Sequence, residues 1–223
     1  GCRYGTNEDG NTVNEIYACK LGDFKNWNCF MGVSTDSYAA SVGSDGPFTG
    51  AVTYLGSPLF FKENTVHKVY GTYPANFQIQ ETGCRGVQPG CHNSLAVVNE
   101  TLYYKARTGV CAFDGSLPVE VSHAFGNELY SDAVASAHGN KYYISMADMS
   151  GVWHTFAYDT AKGMWHKEDD LNAYLFCSCR DELYCATEDN RIIAMLGSGE
   201  GYEEPVPWMF ETGILGASLP DKK

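Results

Sequence analysis

Leu59-Phe60-Phe61, Leu102-Tyr103-Tyr104, Tyr142-Tyr143-Ile144 and Leu183-Tyr184-Cys185 are four versions of one apolar, aromatic-rich triplet. Each follows a turn-forming segment: Gly56-Ser57-Pro58, Asn99-Glu100-Thr101, Gly139-Asn140-Lys141 and Arg180-Asp181-Glu182. The triplets begin at 59, 102, 142 and 183, spacings of 43, 40 and 41 residues. A period near forty that holds four short strands is the pattern of a β-propeller blade. A single blade cannot bury both of its faces, so stacking blades around an axis covers the aromatic residues between neighbours and leaves only short edges.

Working outward from the triplets, each unit reads as an inner strand (51–55, 94–98, 134–137, 174–179), the triplet strand, a third strand (66–70, 110–113, 153–158, 191–196) and a fourth (77–81, 119–122, 165–167, 206–211). Before the first full unit, 15–20 and 27–31 read as a third and a fourth strand, with 2–5 as a ragged second one. The expected fold is therefore all-β, a propeller of about five four-stranded antiparallel blades. It forms one domain over 1–223, with repeats near 48–90, 91–131, 132–171 and 172–212 and a partial blade at 1–47. In the repeat order the element after 206–211 is an inner strand, so 214–219 is expected to pair beside the amino-terminal strands and close the ring.

Composition agrees with this class. Hydrophobic residues make up 44% and charged residues 19%, enough apolar material for a core, and the 24 Gly and 15 Tyr suit many short strands joined by tight turns. A net charge of −12 argues against a surface that grips nucleic-acid phosphates. No run approaches the roughly 18 apolar residues of a membrane span. The chain starts without Met and ends at Asp221-Lys222-Lys223, from which an excised or processed segment is expected. The 9 cysteines are an odd number, and Cys19, Cys29, Cys111, Cys177, Cys179 and Cys185 fall within strand-like alternations. They read as reduced thiols made in a cytoplasm.

The segment Pro58-Leu59-Phe60-Phe61-Lys62-Glu63-Asn64-Thr65-Val66-His67-Lys68-Val69-Tyr70-Gly71 is similar to a recurring stretch of bacteriophage and prophage propeller proteins. The next unit has the same order: Gly90-Cys91, Ser94-Leu95-Ala96-Val97, Leu102-Tyr103-Tyr104, then Thr108 to Gly115. Together they resemble the packaged-DNA stabilisation proteins that close the portal of short-tailed phages, and related prophage tail proteins of gut Firmicutes. The resemblance spans about 14–215 and rests on structural motifs. It implies a virion structural protein of the tail or head–tail junction, made in the bacterial host cytoplasm, with other phage structural proteins as partners and a homo-oligomeric ring as one form. It implies no active site, and family members are usually longer chains.

Glycoside hydrolysis needs two carboxyls roughly 5–10 Å apart. Glu168-Asp169-Asp170 is the densest acidic cluster, but it reads as a solvated blade tip. Ser44-Asp45-Gly46 is similar to the turn of a sialidase Asp-box, yet Phe48 follows behind Pro47 and there is no second copy. Arg3, Arg85, Arg107, Arg180 and Arg191 offer few candidates for an arginine triad.

For metal, Cys84, Cys91 and His92 share one connection and Cys177, Cys179 and Cys185 share paired strands, without paired Cys-x-x-Cys spacing. His67, His123, His138, His154 and His166 accompany no nucleophile elbow. Gly197-Ser198-Gly199-Glu200-Gly201 lacks the Lys and helix of a phosphate loop. Tyr158 and Trp165 resemble the end of a kelch blade, although the double glycine is missing, and read as an aromatic pair across a hairpin.

No catalytic residue, cofactor or metal is therefore expected. The expected function is a non-enzymatic virion assembly module that neither binds nucleic acid tightly nor enters a membrane. The competing reading is a carbohydrate-binding or glycoside-hydrolysing propeller, with Trp27, Trp153, Trp165 and Trp208 as sugar platforms if they are exposed.

Overall fold

The computed structural model describes residues 1–196. Those residues form five antiparallel sheets, each a meander in chain order, with three short 3-10 turns and no α-helix. The first sheet holds β1 (Cys2–Thr6), β2 (Thr12–Ala18) and β3 (Tyr38–Ser41). The second holds β4 (Gly50–Tyr54), β5 (Ser57–Phe61), β6 (Thr65–Tyr70) and β7 (Gln78–Gly83). The third is β8 (Ala96–Val98), β9 (Thr101–Lys105), β10 (Val110–Phe113) and β11 (Val119–Glu120). The fourth is β12 (Tyr130–His138), β13 (Lys141–Asp148), β14 (Trp153–Asp159) and β15 (Met164–Asp169). The fifth is β16 (Ala173–Cys179), β17 (Glu182–Thr187) and β18 (Ile192–Ala194). No helix of the described residues is long and apolar enough to cross a membrane.

One local device recurs in four of the sheets. The first and second strands always close on a two-residue turn: Leu55-Gly56, Asn99-Glu100, Gly139-Asn140 and Arg180-Asp181, flanked by the pairs Tyr54↔Ser57, Val98↔Thr101, His138↔Lys141 and Cys179↔Glu182. Leu55, Gly56, Asn99 and Glu100 all have positive φ, the backbone of a primed turn whose twist matches that of the strands. Ser57 and Pro58 belong to β5, not to the turn, and β6 pairs with β5 only from Leu59 onward. Pro58, which has no N–H, thus sits where that ladder stops.

These turns correct the repeat. They begin at 55, 99, 139 and 180, so the first interval is 44 residues and not 43. Leu102 and Tyr104 face the second sheet, Tyr142 and Ile144 the third, and Leu183 and Cys185 the fourth, each time the preceding one. In the first repeat Phe60 faces the preceding sheet, against Ile16, while Phe61 packs on Tyr104 of the following one. A one-residue slip exchanges the two faces of a strand. The structural counterpart of Leu102-Tyr103-Tyr104 is therefore Pro58-Leu59-Phe60.

Burial on both faces holds the stack together. Tyr104 meets Phe61 behind it, and Tyr103 meets Tyr142 ahead of it with ring centroids 5.3 Å apart. Tyr143 and Ala157 pack with Ala173, Phe176, Leu183 and Cys185 of the fifth sheet. Each fully buried side chain of this size contributes roughly 1.5–3 kcal/mol of transfer free energy. Polar tips tie the same junctions: the Tyr54 hydroxyl donates to the Glu100 carbonyl at 2.5 Å, Tyr142 to Ser94 at 2.8 Å and Trp165 Nε1 to Val121 at 2.7 Å.

The amino-terminal sheet departs from expectation. Cys2–Thr6 is a full strand with five paired residues, whereas 27–31 is a loop and the last strand is Tyr38–Ser41. Backbone donors in and just after 27–31 are taken locally: Ser37 Oγ accepts the Cys29 N–H at 3.1 Å, and the Asp36 carboxylate accepts those of Met31, Gly32 and Val33 at 2.5, 2.7 and 3.1 Å. The hairpin between β1 and β2 identifies these strands. Asn7 Oδ1 accepts from Asp9 and Asn11, as Asp148 Oδ1 accepts from Ser150 and Val152 between β13 and β14. Thus β1 and β2 correspond to second and third strands, and among the described residues this sheet has no counterpart of β4, β8, β12 and β16. The expected strands at 206–211 and 214–219, and the Gly197 to Gly201 turn, lie outside the described residues.

Candidate functional site

A buried polar cluster lies where the first sheet meets the second. Strand β5 ends at Phe61, and the next residue, Lys62, is almost fully buried with its chain turned toward the first sheet. Its Nζ donates to Asn14 Oδ1 at 2.7 Å and to the Ser44 carbonyl at 2.6 Å, and it lies 4.7 Å from the ring centre of Phe48. Burial pushes the Lys62 ammonium below its ordinary value, partly offset by Glu81 and Asp45. Beside it, on β6, the His67 ring is wholly buried.

Ser44 Oγ stands 2.9 Å from His67 Nε2, and Glu81 Oε2 stands 3.1 Å from the same nitrogen, while Nδ1 lies 3.3 Å from the Phe60 carbonyl. In a nucleophile–base relay the orienting acid sits behind the base, on the opposite ring nitrogen. Here serine and carboxylate compete for one nitrogen. The arrangement suits a clasp that fastens the 42–49 connection to the second sheet.

Two further carboxylates, those of Asp148 and Asp170, are held in ion pairs. Asp170 Oδ1 lies 2.7 Å from His154 Nδ1 and 2.6 Å from Lys167 Nζ, and His154 Nε2 lies 3.2 Å from Asp148 Oδ2. Hydrogen bonds from Val152 and His154 hold the Asp148 carboxyl below its usual range. Burial opposes ionisation of Asp170, but Lys167 and His154 outweigh it and its carboxyl is lowered too. A glycosidase acid needs the opposite shift. Arg3, Arg85, Arg107 and Arg191 are paired with Glu15, Glu120, Glu63 and Asp189, so they do not converge as a triad.

The cysteine sets also separate. Cys91 is buried and accepts the Ala133 N–H at 3.4 Å, while His92 is exposed. Cys177 and Cys179 lie on the exposed face of the fifth sheet, and Cys185 is buried on its other face. All nine thiols are free, and among the described residues no group of three or more His, Cys, Asp or Glu converges to hold a metal ion. His138 joins the fourth and fifth sheets, with Nδ1 2.9 Å from Ser178 Oγ. His123 begins a 3-10 turn, and His166 lies opposite Ala157 on β15.

Tyr158 and Trp165 form the expected cross-strand pair, their centroids 4.9 Å apart, and Trp165 also packs on Phe125. Trp27 rests edge-on against Tyr17, Trp153 is half-buried, and Trp208 lies outside the described residues.

A second buried lysine, Lys105, was not singled out from the sequence. Its Nζ donates to Gln88 Oε1 at 2.7 Å and to the Ala106 carbonyl at 2.6 Å, and burial lowers its ammonium. The cavity beside it, lined by Ser122, Glu128, Tyr130 and Met146, measures about 10 Å³. That admits one water and no substrate. A basic residue directly after an apolar triplet, in Phe61-Lys62 and Tyr104-Lys105, was the available signal. No protein-family model matches the chain, and no curated protein matches it either.

Proposed function

We propose that the chain is a run of β-propeller blades serving as a non-enzymatic assembly module of a virion, in a phage tail or head–tail junction. The observation that carries this reading is the two-sided burial of the second strand, with Tyr103 and Tyr104 committed to opposite neighbouring sheets. Such a stack spends its aromatic residues on joining blades. His67 and Glu81, and His154 with Asp148 and Asp170, are likewise engaged with one another, which favours a scaffold over a catalyst. The virion assignment rests on the resemblance of 58–71 and 90–115 to phage propeller proteins.

Particles released from an induced source culture, fractionated on a density gradient and analysed by mass spectrometry, test it. Peptides of this chain should co-sediment with assembled particles. Their confinement to the soluble top fractions would remove the particle role.

A further inference from the structure

Lys62 and Asn14 bring a side-chain nitrogen of the second sheet against a carboxamide of the first. Lys62 Nζ donates to Asn14 Oδ1 at 2.7 Å and to the Ser44 carbonyl at 2.6 Å, and Asn14 Nδ2 donates to that same Ser44 carbonyl at 2.7 Å. Nδ2 also donates to the Val42 carbonyl at 3.0 Å, so the carboxamide is held in one orientation. With a C=O bond of about 1.23 Å, Nζ lies within about 4 Å of the Asn14 Cγ carbon. A reacting pair needs roughly 3–3.5 Å.

The surroundings favour the neutral amine. Lys62 is 1% exposed, and its Nζ lies 4.7 Å from the ring centre of Phe48 and 5.2 Å from that of Tyr4. Burial lowers its ammonium, and the Glu81 carboxylate that acts on it can take the proton that leaves before attack. A desolvated lysine in an apolar pocket is an activated nucleophile. The junction is also the one with the smallest apolar cluster. Among the described residues it buries Ile16, Phe60 and Val69, and the first sheet has no counterpart of β4.

We infer that Lys62 and Asn14 join through an intramolecular amide bond that fastens the first sheet to the second. Nζ bonds to Cγ, and the Cγ–Nδ2 bond breaks. Of the three ammonium protons, one stays on the new amide nitrogen and two leave on Nδ2 as ammonium ion, so atoms and charge balance without a co-reactant. In the bonded chain Lys62 no longer titrates, and its contribution to alkaline stability belongs to the unbonded chain. The bond does not depend on the virion assignment.

Intact-mass spectrometry tests it, on the full chain incubated folded at neutral pH for a prolonged period and then denatured. The chain should be lighter than its sequence by one ammonia. Trypsin should release one branched peptide joining 4–20 to 26–68, because Lys62 in amide linkage is no longer cut. Lys62→Arg, whose guanidinium stays protonated, and Asn14→Ala should each keep the full sequence mass. A parent chain of full sequence mass overturns the proposal and leaves the contact a hydrogen bond. So does loss of ammonia with 4–20 recovered as a separate peptide, or a loss that persists in Lys62→Arg, since either places the loss at another amide.

Discussion

Phe61 and Tyr104 face each other across the junction of the second and third sheets, with ring centroids 5.1 Å apart and ring planes inclined at 51°. Residues at equivalent positions of successive repeats point the same way and cannot meet like this. Their contact therefore fixes the first repeat interval at 44 residues. Phe61→Ala should cost about 3–5 kcal/mol in urea unfolding, as for other buried aromatic truncations. A double-mutant cycle with Tyr104→Ala should return a coupling of about 0.5–1.5 kcal/mol. A coupling indistinguishable from zero would contradict this junction.

The primed turn at Asn99-Glu100 holds Glu100 at φ 65°, a conformation that costs an L-residue free energy and glycine almost none. Glu100→Gly should raise stability by up to about 1 kcal/mol, since only the Glu100 carbonyl is used, by Tyr54. Glu100→Val should lower it. Melting temperatures of the two variants check the sign of each.

Asp36 is the keystone of the 20–35 loop. Burial opposes its ionisation, but hydrogen bonds from Val33, Gly32 and Met31 outweigh it, so its carboxyl titrates below the ordinary value. A lowered carboxyl contributes stability that is present above about pH 4 and is lost as pH falls through the folded-state value. Asp36→Ala should speed amide exchange at Met31, Gly32 and Val33 while leaving the third and fourth sheets protected. It should also flatten the acid limb of the stability profile.

Alkaline behaviour sets two kinds of buried group against each other. Burial raises Cys2, Cys84, Cys91 and Cys185 and pushes Cys111 up to about 11, and it raises Tyr104 and Tyr142 as well. Above roughly pH 8.5 the unfolded thiols lose protons that the native state keeps, so stability falls as pH rises. Lys62 and Lys105, lowered by burial, act with the opposite sign: their penalty is full below the folded-state value and is relieved toward about pH 10.4. With five raised thiols against two lysines, the urea midpoint should decline from pH 8 to 10.5. Cys111→Ala should decline less steeply than the parent, and Lys105→Met more steeply. A midpoint that rises with pH would show that the lysines dominate.

Local chemistry fixed much of this fold in advance. The alternation of turn residues with short apolar runs marks the strands of the second to fifth sheets to within a few residues, because a hairpin needs positive φ at its turn and little else. The face each strand buries was not legible. Leu59-Phe60-Phe61 is apolar throughout, so it carries no alternation from which to read the register, and a slip of one residue leaves the pattern intact while exchanging both neighbours. The loop at 27–31 was misread for a related reason. Trp27, Phe30 and Met31 have strand-like composition, but Ser37 and Asp36, farther along the chain, take the Cys29 and Met31 backbone donors that a ladder there would need. The clasp of Ser44, His67 and Glu81 joins residues up to 37 positions apart, and no local pattern connects them. Sequence alone thus determined that this protein folds into repeated hairpins, because turns and strands are decided by neighbours along the chain. Only the tertiary structure decided which sheets those aromatic residues join and which polar groups are buried together, because those choices depend on the parity of chain length between distant strands.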